Sequence, residues 1–376
     1  MKELNSMIHL KKPQLDHREY DAVLDVLKSG VIAQGPKVKE FEEKFSHKCG
    51  AKYGVSVNSG TAALHCILLA LGVGPGDEVI CTSFSFIATA SPILMCGAKP
   101  VFVDIDKKSY NIDVTKVEEA VTSKTKAVIA VNLFGKLADW AELNRLCSKR
   151  NLYLLEDAAQ SHFAHNRQAI SGNFATASWF SFYATKNMMT AEGGMVVTNN
   201  EQIDQSVRRI RQHGMSAPGM YDYEELGYNF RSTDINAAIG LVQLEKIDDF
   251  NLKRIGIAKR YNDAFSIFPE LNLPVSNYSG DHVYHLYTIG LKDSSIRDEL
   301  LKMLKDANIG CGVYYPTPLS DLSIFKAVGS GKHLLNARNA SETVLTIPCE
   351  PFMEDDDVAQ VIDIFIDCYK SLKKEL

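Results

Sequence analysis

The sequence predicts an α/β protein: a large domain with a mainly parallel sheet sandwiched by helices, followed by a smaller C-terminal α+β domain. Three observations carry this. Between residues 53 and 198 short β-rich runs alternate with helical ones, the pattern of a parallel sheet with helices on both faces. After residue 200 the apolar spacing turns helical over a long stretch. Beyond Ser276, β-rich and helical segments mix again on a smaller scale. The expected division is 13–249 for the large domain and 250–376 for the small one, with residues 1–12 packing against the latter.

In chain order, HREYDAVLDVLKS (17–29) spaces Val23, Leu24 and Leu27 as a helix that closes at Gly30. PKVKEFEEKFSHKCG follows, with Val38, Phe41 and Phe45 on one face, charges on the other and a terminal glycine. YGVSVNSGTAALHCILLALG then reads as a short strand, a polar turn from Asn58 to Thr61, and a helix apolar on nearly every side, which has to be buried. Such a turn leaves free backbone N–H groups at a helix N-terminus, a ready anion site. Read alone, Ser59 or Thr61 also fits a plain N-cap.

The alternation continues through DEVICT, SFIATASPILMCG, KPVFVDI, DVTKVEEAV, KAVIAV, WAELNRLCSKR and LYLLED. Ligands of such folds sit at the carboxyl ends of the strands. LYLLED ends there with Glu156 and Asp157, so one of the two points a carboxylate at the crevice; the other reading of Asp157 is a helix cap. SWFSF is a further strand. The stretch SFYATKNMMTAEGG then sets Lys186 between an aromatic strand and a glycine pair, ahead of the strand GMVVTNN. EQIDQSVRRIRQHG and TDINAAIGLVQLEKIDDFNLKRIGIAKRYNDAF are helical, and residues 250–276 cross into the second domain. YHLYTIGL, RDELLKMLKDANIG, GVYYPTPLSDL and a helix around VAQVIDIFIDCYKSLKKEL complete it.

A net charge of -5 over 376 residues gives no basic stripe of the kind that neutralises phosphate backbones, so nucleic acid is not the expected partner. The first twenty residues carry no apolar signal region and no run reaches the length of a membrane span, so the expected place is the cytoplasm, away from membranes. Eight cysteines without a C-x-x-C pair read as reduced core residues. His162 and His165 share a helical face with no third ligand of matching spacing, and no metal site is expected.

One lysine among 41 Lys plus Arg is ordinarily a surface charge. Lys186 stands out by its company: a phosphate cradle at Gly60, Thr61 and Ala62, an aromatic helix start at Phe84 to Phe86, and the strand-end Asp157. Pyridoxal phosphate wants these four things. Its phosphate suits a helix N-terminus, its ring an aromatic face, its aldehyde a lysine, and its ring nitrogen a carboxylate.

The set GPKVKEFEEKF, VNSGTAALHCILLALGVGPGDEVI, FIATASPI, GAKPVFVDID, EDAAQSH, SFYATKN, AEGGMVVTN, LGYNFRSTDINAAIG and HLYTI resembles the DegT/DnrJ/StrS family of sugar aminotransferases, of the aspartate aminotransferase fold group (fold type I), over most of the chain. The resemblance implies that Lys186 carries pyridoxal 5'-phosphate as a Schiff base and shuttles the proton. It implies that Asp157 pairs with the ring nitrogen, Gln160 bonds the ring hydroxyl, and Phe86 stacks on the ring. Thr61, Ala62 and Ser181 are implied to hold the phosphate, helped by Asn229 from a neighbouring subunit, so that a homodimer shares two sites. The implied reaction moves the amino group of L-glutamate to a keto-sugar carried on a nucleotide, with Tyr314 and Tyr315 near the sugar. Two positions depart from the family pattern: Ala175–Thr176 replaces a Gly-Asp pair, and Ser320, expected in the sugar pocket, replaces a histidine. A pyridoxamine-dependent sugar dehydratase has a histidine in place of the lysine, which Lys186 argues against; a cofactor-binding regulator without turnover is the reading from outside enzymology.

Overall fold

The computed structural model describes residues 7–217, 221–327 and 334–374. Seven strands form the main sheet: β1 (Tyr53–Val57), β2 (Glu78–Thr82), β3 (Lys99–Val103), β4 (Thr125–Val131), β5 (Tyr153–Asp157), β6 (Ala177–Ser181) and β7 (Gly194–Thr198). Their order is β1-β7-β6-β5-β4-β2-β3. The pairs from β6 through to β3 are parallel, while β7 runs antiparallel to both β6 and β1. The Phe182–Gly193 connection between β6 and β7 holds no helix, so the chain returns in the opposite direction.

Strand parity divides the sheet into two buried faces. Val79, Ile129, Leu155, Trp179 and Val196 pack with the helices Gly60–Ala70 and Glu201–Ile210. Ile80, Val128 and Leu154 face the helices Val114–Ala120 and Trp140–Arg150 on the other side. Phe180, Met195 and Val197 share that second face with Phe41 and Phe45 of the helix Pro36–Lys48 and with Ala237 and Ile247. Both faces are covered, which is why the strands read as continuous apolar runs. The same parity separates the two carboxylates that end β5. Asp157 falls on the face of Leu155, and Glu156 on the face of Leu154.

Register brings the cradle to its place. Val57 pairs with Gly194, Gly194 with Ser181, and Asp157 with Trp179. The turn after β1 therefore passes over the end of β6. A Cβ on Gly60 would sit 2.9 Å from the Ser181 Cβ, and one on Gly194 would collide with the Ser59 carbonyl, so glycine is required at both.

The helix Asp234–Phe265 runs unbroken through position 250. Its first half packs on the main sheet, and its second half, with Ile257, Tyr261 and Phe265, joins a separate core. That core holds β8 (Tyr287–Gly290), its antiparallel partner β9 (Val344–Ile347), and the helices Ser294–Asp306 and Asp355–Lys374. β9 was not legible in the sequence: four consecutive apolar or hydroxyl residues directly follow the helix Leu335–Thr343 and show no alternation. Ile8 bridges Ile309 and is buried in this second core, which ties the N-terminal segment to it.

Candidate active site

A cavity of about 1050 Å³ opens at the carboxyl end of the parallel strands, between the sheet and the second core. Ser59, Gly60 and Thr61, Phe86, Asp157, Gln160, Ser181, Lys186, Tyr314 and Tyr315 all line it. Ala62 lies one residue deeper and is buried, and Asn229 is exposed outside the cavity of its own chain.

Each group is held by a local cause. Ser59 is the N-cap of the helix Gly60–Ala70: its Oγ takes the Ala62 N–H at 3.1 Å and its carbonyl takes the Ala63 N–H at 3.1 Å. The amides of Gly60 and Thr61 are left without acceptors among the described residues, so the cap and the anion cradle are one structure. Asp157 is buried, accepting the Thr89 hydroxyl at 2.8 Å and the Ala159 N–H at 3.1 Å. Burial raises its pKa, against those two hydrogen bonds and the charge of Lys186. Gln160 is fixed at both ends, its Oε1 accepting the Phe134 N–H at 2.8 Å and its Nε2 donating to the Tyr315 hydroxyl at 3.1 Å. One Nε2 hydrogen remains free.

Lys186 reaches the cavity from the loop after β6, its Nζ without a hydrogen-bond partner among the described residues. Burial lowers its pKa to about 8, only partly countered by Asp157. Beneath it His162 is fully enclosed among Phe180 and Phe182, and neither ring nitrogen has a hydrogen-bond partner among the described residues. Burial first, and the nearby Lys186 second, depress His162 to about 3, so it is a neutral core residue. Among the described residues no group of three His, Cys, Asp or Glu side chains could hold a metal ion.

One expectation fails. Ser320 does not line the cavity; it is buried, with its Oγ 3.0 Å from that of Ser83 and 3.1 Å from the Asp321 carboxylate that accepts from it. The chain enters a 3-10 turn, Leu319–Asp321, directly after the cavity-lining Tyr314–Pro316 and turns away from it. Ala175–Thr176 also lies outside the cavity. Sequence reading missed Thr89, Trp179, Glu192, His285, Lys11 and Lys305, all on the cavity wall. All of these but Lys11 stood in stretches already read as elements or as part of the resemblance, Thr89 in SFIATASPILMCG, Trp179 in SWFSF, Glu192 in AEGGMVVTN, His285 in HLYTI and Lys305 in RDELLKMLKDANIG; their convergence on one wall is supplied by folding.

A ligand for this site needs an anion, an electrophile for an amine, and a group that pairs with a buried carboxylate. The free amides, the unpaired Lys186 amine and the lone pairs left on Asp157 fit pyridoxal phosphate. The model of the DegT/DnrJ/EryC1/StrS aminotransferase family matches residues 13–366. The chain belongs to that family. It is 38% identical to the spore coat polysaccharide biosynthesis protein SpsC of Bacillus subtilis, over 97% of this chain and 98% of SpsC. It is 37% identical to the GDP-perosamine synthase of Caulobacter vibrioides, over 79% and 81%. Among solved structures, the Spr1654 protein of Streptococcus pneumoniae in its PMP form superposes with a TM-score of 0.93 at 30% identity, covering 98% of this chain and 99% of that one. The same protein is solved in a PLP form. Membership makes this chain an aminotransferase of the sugar aminotransferase group. No helix among its described residues is long and apolar enough to cross a membrane.

Proposed function

We propose that this aminotransferase uses pyridoxal phosphate to move the amino group of L-glutamate to a keto-sugar carried on a nucleotide. The observation that carries the reading is one cavity holding an unpaired amine of lowered pKa, a buried carboxylate with spare lone pairs, and a helix N-terminus with two free amides. The nucleotide is supported by a relative whose name carries GDP.

Bound pyridoxal phosphate supplies an aldehyde for amine exchange and a ring that accepts electrons. The Gly60 and Thr61 amides and Ser181 would hold its phosphate, and Phe86 and Gln160 would orient its ring. Asp157 holds a proton on the ring nitrogen. Lys186 Nζ, freed when the donor's amine takes its place, would accept the proton from the donor's Cα and deliver it to the former aldehyde carbon on the far side of the intervening nitrogen. A pKa near 8 keeps a useful fraction of that amine unprotonated at neutral pH. Tyr314 and Tyr315 form the apolar wall against which a sugar ring would lie.

The exposed Asn229 side chain supports a shared site in a homodimer. The Asn58 side chain donates to the Asn229 carbonyl at 3.4 Å, beside the cradle, while the Asn229 side chain lines no part of its own chain's cavity. Mixing Lys186→Ala with Asn229→Ala subunits is expected to restore activity, because one site of the mixed dimer carries neither lesion; no recovery after demonstrated exchange refutes sharing. The reaction itself is tested by titrating the apoprotein with pyridoxal phosphate, then measuring 2-oxoglutarate release from glutamate over a panel of nucleotide keto-sugars. Failure to bind the cofactor overturns the reading.

A further inference from the structure

Behind Lys186 runs a chain of side-chain amides whose direction is fixed at both ends. Asn251 Nδ2 donates to the His162 carbonyl at 2.9 Å, so Asn251 turns its Oδ1 the other way. Asn187 Nδ2 donates to that Oδ1 at 3.0 Å and to the Val283 carbonyl at 3.0 Å. Both acceptors can only accept, so the Asn187 amide cannot be flipped, and its Oδ1 is the atom 3.1 Å from His285 Nδ1. His285 must therefore carry its hydrogen on Nδ1. Its Nε2 is left as the bare nitrogen, without a partner among the described residues, on a ring that lines the cavity.

The surroundings disfavour a second proton. The His285 pKa lies well below the ordinary histidine value, first through burial and then through the charges of Lys11, Lys186 and Arg254. Lys11 Nζ donates to the His285 main-chain carbonyl; its 3.5 Å approach to Nδ1 is at the limit of a hydrogen bond, and the closer Asn187 Oδ1 at 3.1 Å sets the tautomer. Two carboxylates face these cations among the described residues: Glu350, taken by Lys11 at 3.2 Å and by Arg254 at 3.0 Å, and Asp157, which faces Lys186. The second neighbouring imidazole, His162, is itself neutral.

We propose that His285 is a positioning residue for the transamination. It is locked as the neutral Nδ1–H tautomer by a relay that passes through Asn187, the residue next to Lys186. It presents Nε2 to the cavity as a fixed acceptor for an amine N–H, either that of Lys186 or that of the incoming amino donor. Because Asn187 is held by His285, Asn251 and Val283 together, the relay also fixes the backbone from which Lys186 projects. The proposal rests on the aminotransferase reading for its purpose but not for its first test.

That first test needs no cofactor. Long-range ¹H–¹⁵N NMR of the apoprotein, with the signal assigned through His285→Gln, is expected to show an Nδ1–H imidazole whose shifts do not move between pH 6 and 8. An Nε2–H tautomer, or titration within that range, overturns the proposal even if transamination is fully established. The kinetic test is Asn187→Asp, which sets a carboxylate against Nδ1 and favours the imidazolium. Its half-reaction with glutamate is expected to gain an ionisation between pH 6 and 8, with the rate falling at least tenfold toward the acid side. A uniformly slower enzyme with the wild-type pH profile assigns these residues a packing role only and overturns the proposal. The two sources of N–H separate in Lys186→Ala: a glutamate-induced shift of the Nε2 resonance that persists there assigns the donor's amine, and one that vanishes assigns Lys186. No shift in either protein overturns the acceptor role.

Discussion

The two faces of the sheet at the end of β5 treat adjacent carboxylates in opposite ways. Glu156 and Asp157 are both buried, and burial raises the pKa of both. On its face Glu156 is saturated, taking Asn132 Nδ2 at 2.9 Å, Ser171 Oγ at 2.7 Å, the Gly172 N–H at 3.0 Å and Ser178 Oγ at 2.7 Å. On the other face Asp157 takes two donors and turns its remaining capacity to a cavity. A saturated buried carboxylate is a structural clamp, here holding Ser171 and Gly172 of the loop between β5 and β6. An undersaturated one beside a free amine is available for chemistry.

The sharpest way to break this contrast is to remove the amine. Lys186→Met is expected to lower turnover by about 10⁴-fold while the chain still folds. Its stability against pH should also change form. Between about 8 and 10.5 folded Lys186 has shed its proton while the unfolded lysine keeps it, so stability rises with pH across that window. Lys11, also lowered to about 8, contributes a similar rise. Urea melts of both apoproteins at several pH values isolate the Lys186 share as their difference; identical curves would mean the amine is not held in a desolvated place.

Asp157→Asn comes next, with turnover expected to fall by about 10² to 10³-fold and urea stability unchanged or higher, since a poorly satisfied buried charge is removed. Glu156→Gln should do the reverse. Its stability is expected to drop by about 1–3 kcal/mol, because an amide N–H would face donors that need an acceptor, while turnover of the folded fraction stays within a few-fold of the native value. Equal losses of turnover from the two variants would erase the distinction drawn between the faces. The smallest effect belongs to Ser320→Ala: about 1 kcal/mol from the lost Ser83 contact, and no change in preference over a keto-sugar panel. A changed preference would return position 320 to the substrate wall.

Much of the frame was legible because its signals are local. Gly30 closes the helix His17–Ser29, and Ser59 caps the helix Gly60–Ala70, as short motifs suggest. The alternation from Tyr53 to Thr198 announced the parallel sheet, and Lys186, Asp157 and the Gly60 turn, singled out from the sequence, line one cavity. The chain order and chemistry of these residues are properties of the sequence itself. The strand-end pattern by itself did not separate Glu156 from Asp157, and the resemblance chose Asp157, because the choice depends on which face of β5 meets the cavity, and strand parity becomes an orientation only when neighbouring strands fix the register. The placement of Ser320 away from the cavity, the arrival of Thr89 at Asp157 and the amide relay to His285 join residues as far as 237 positions apart. Hydrogen bonds of that span have no periodicity to read. Packing decides them, and with them the protonation state of the wall around Lys186.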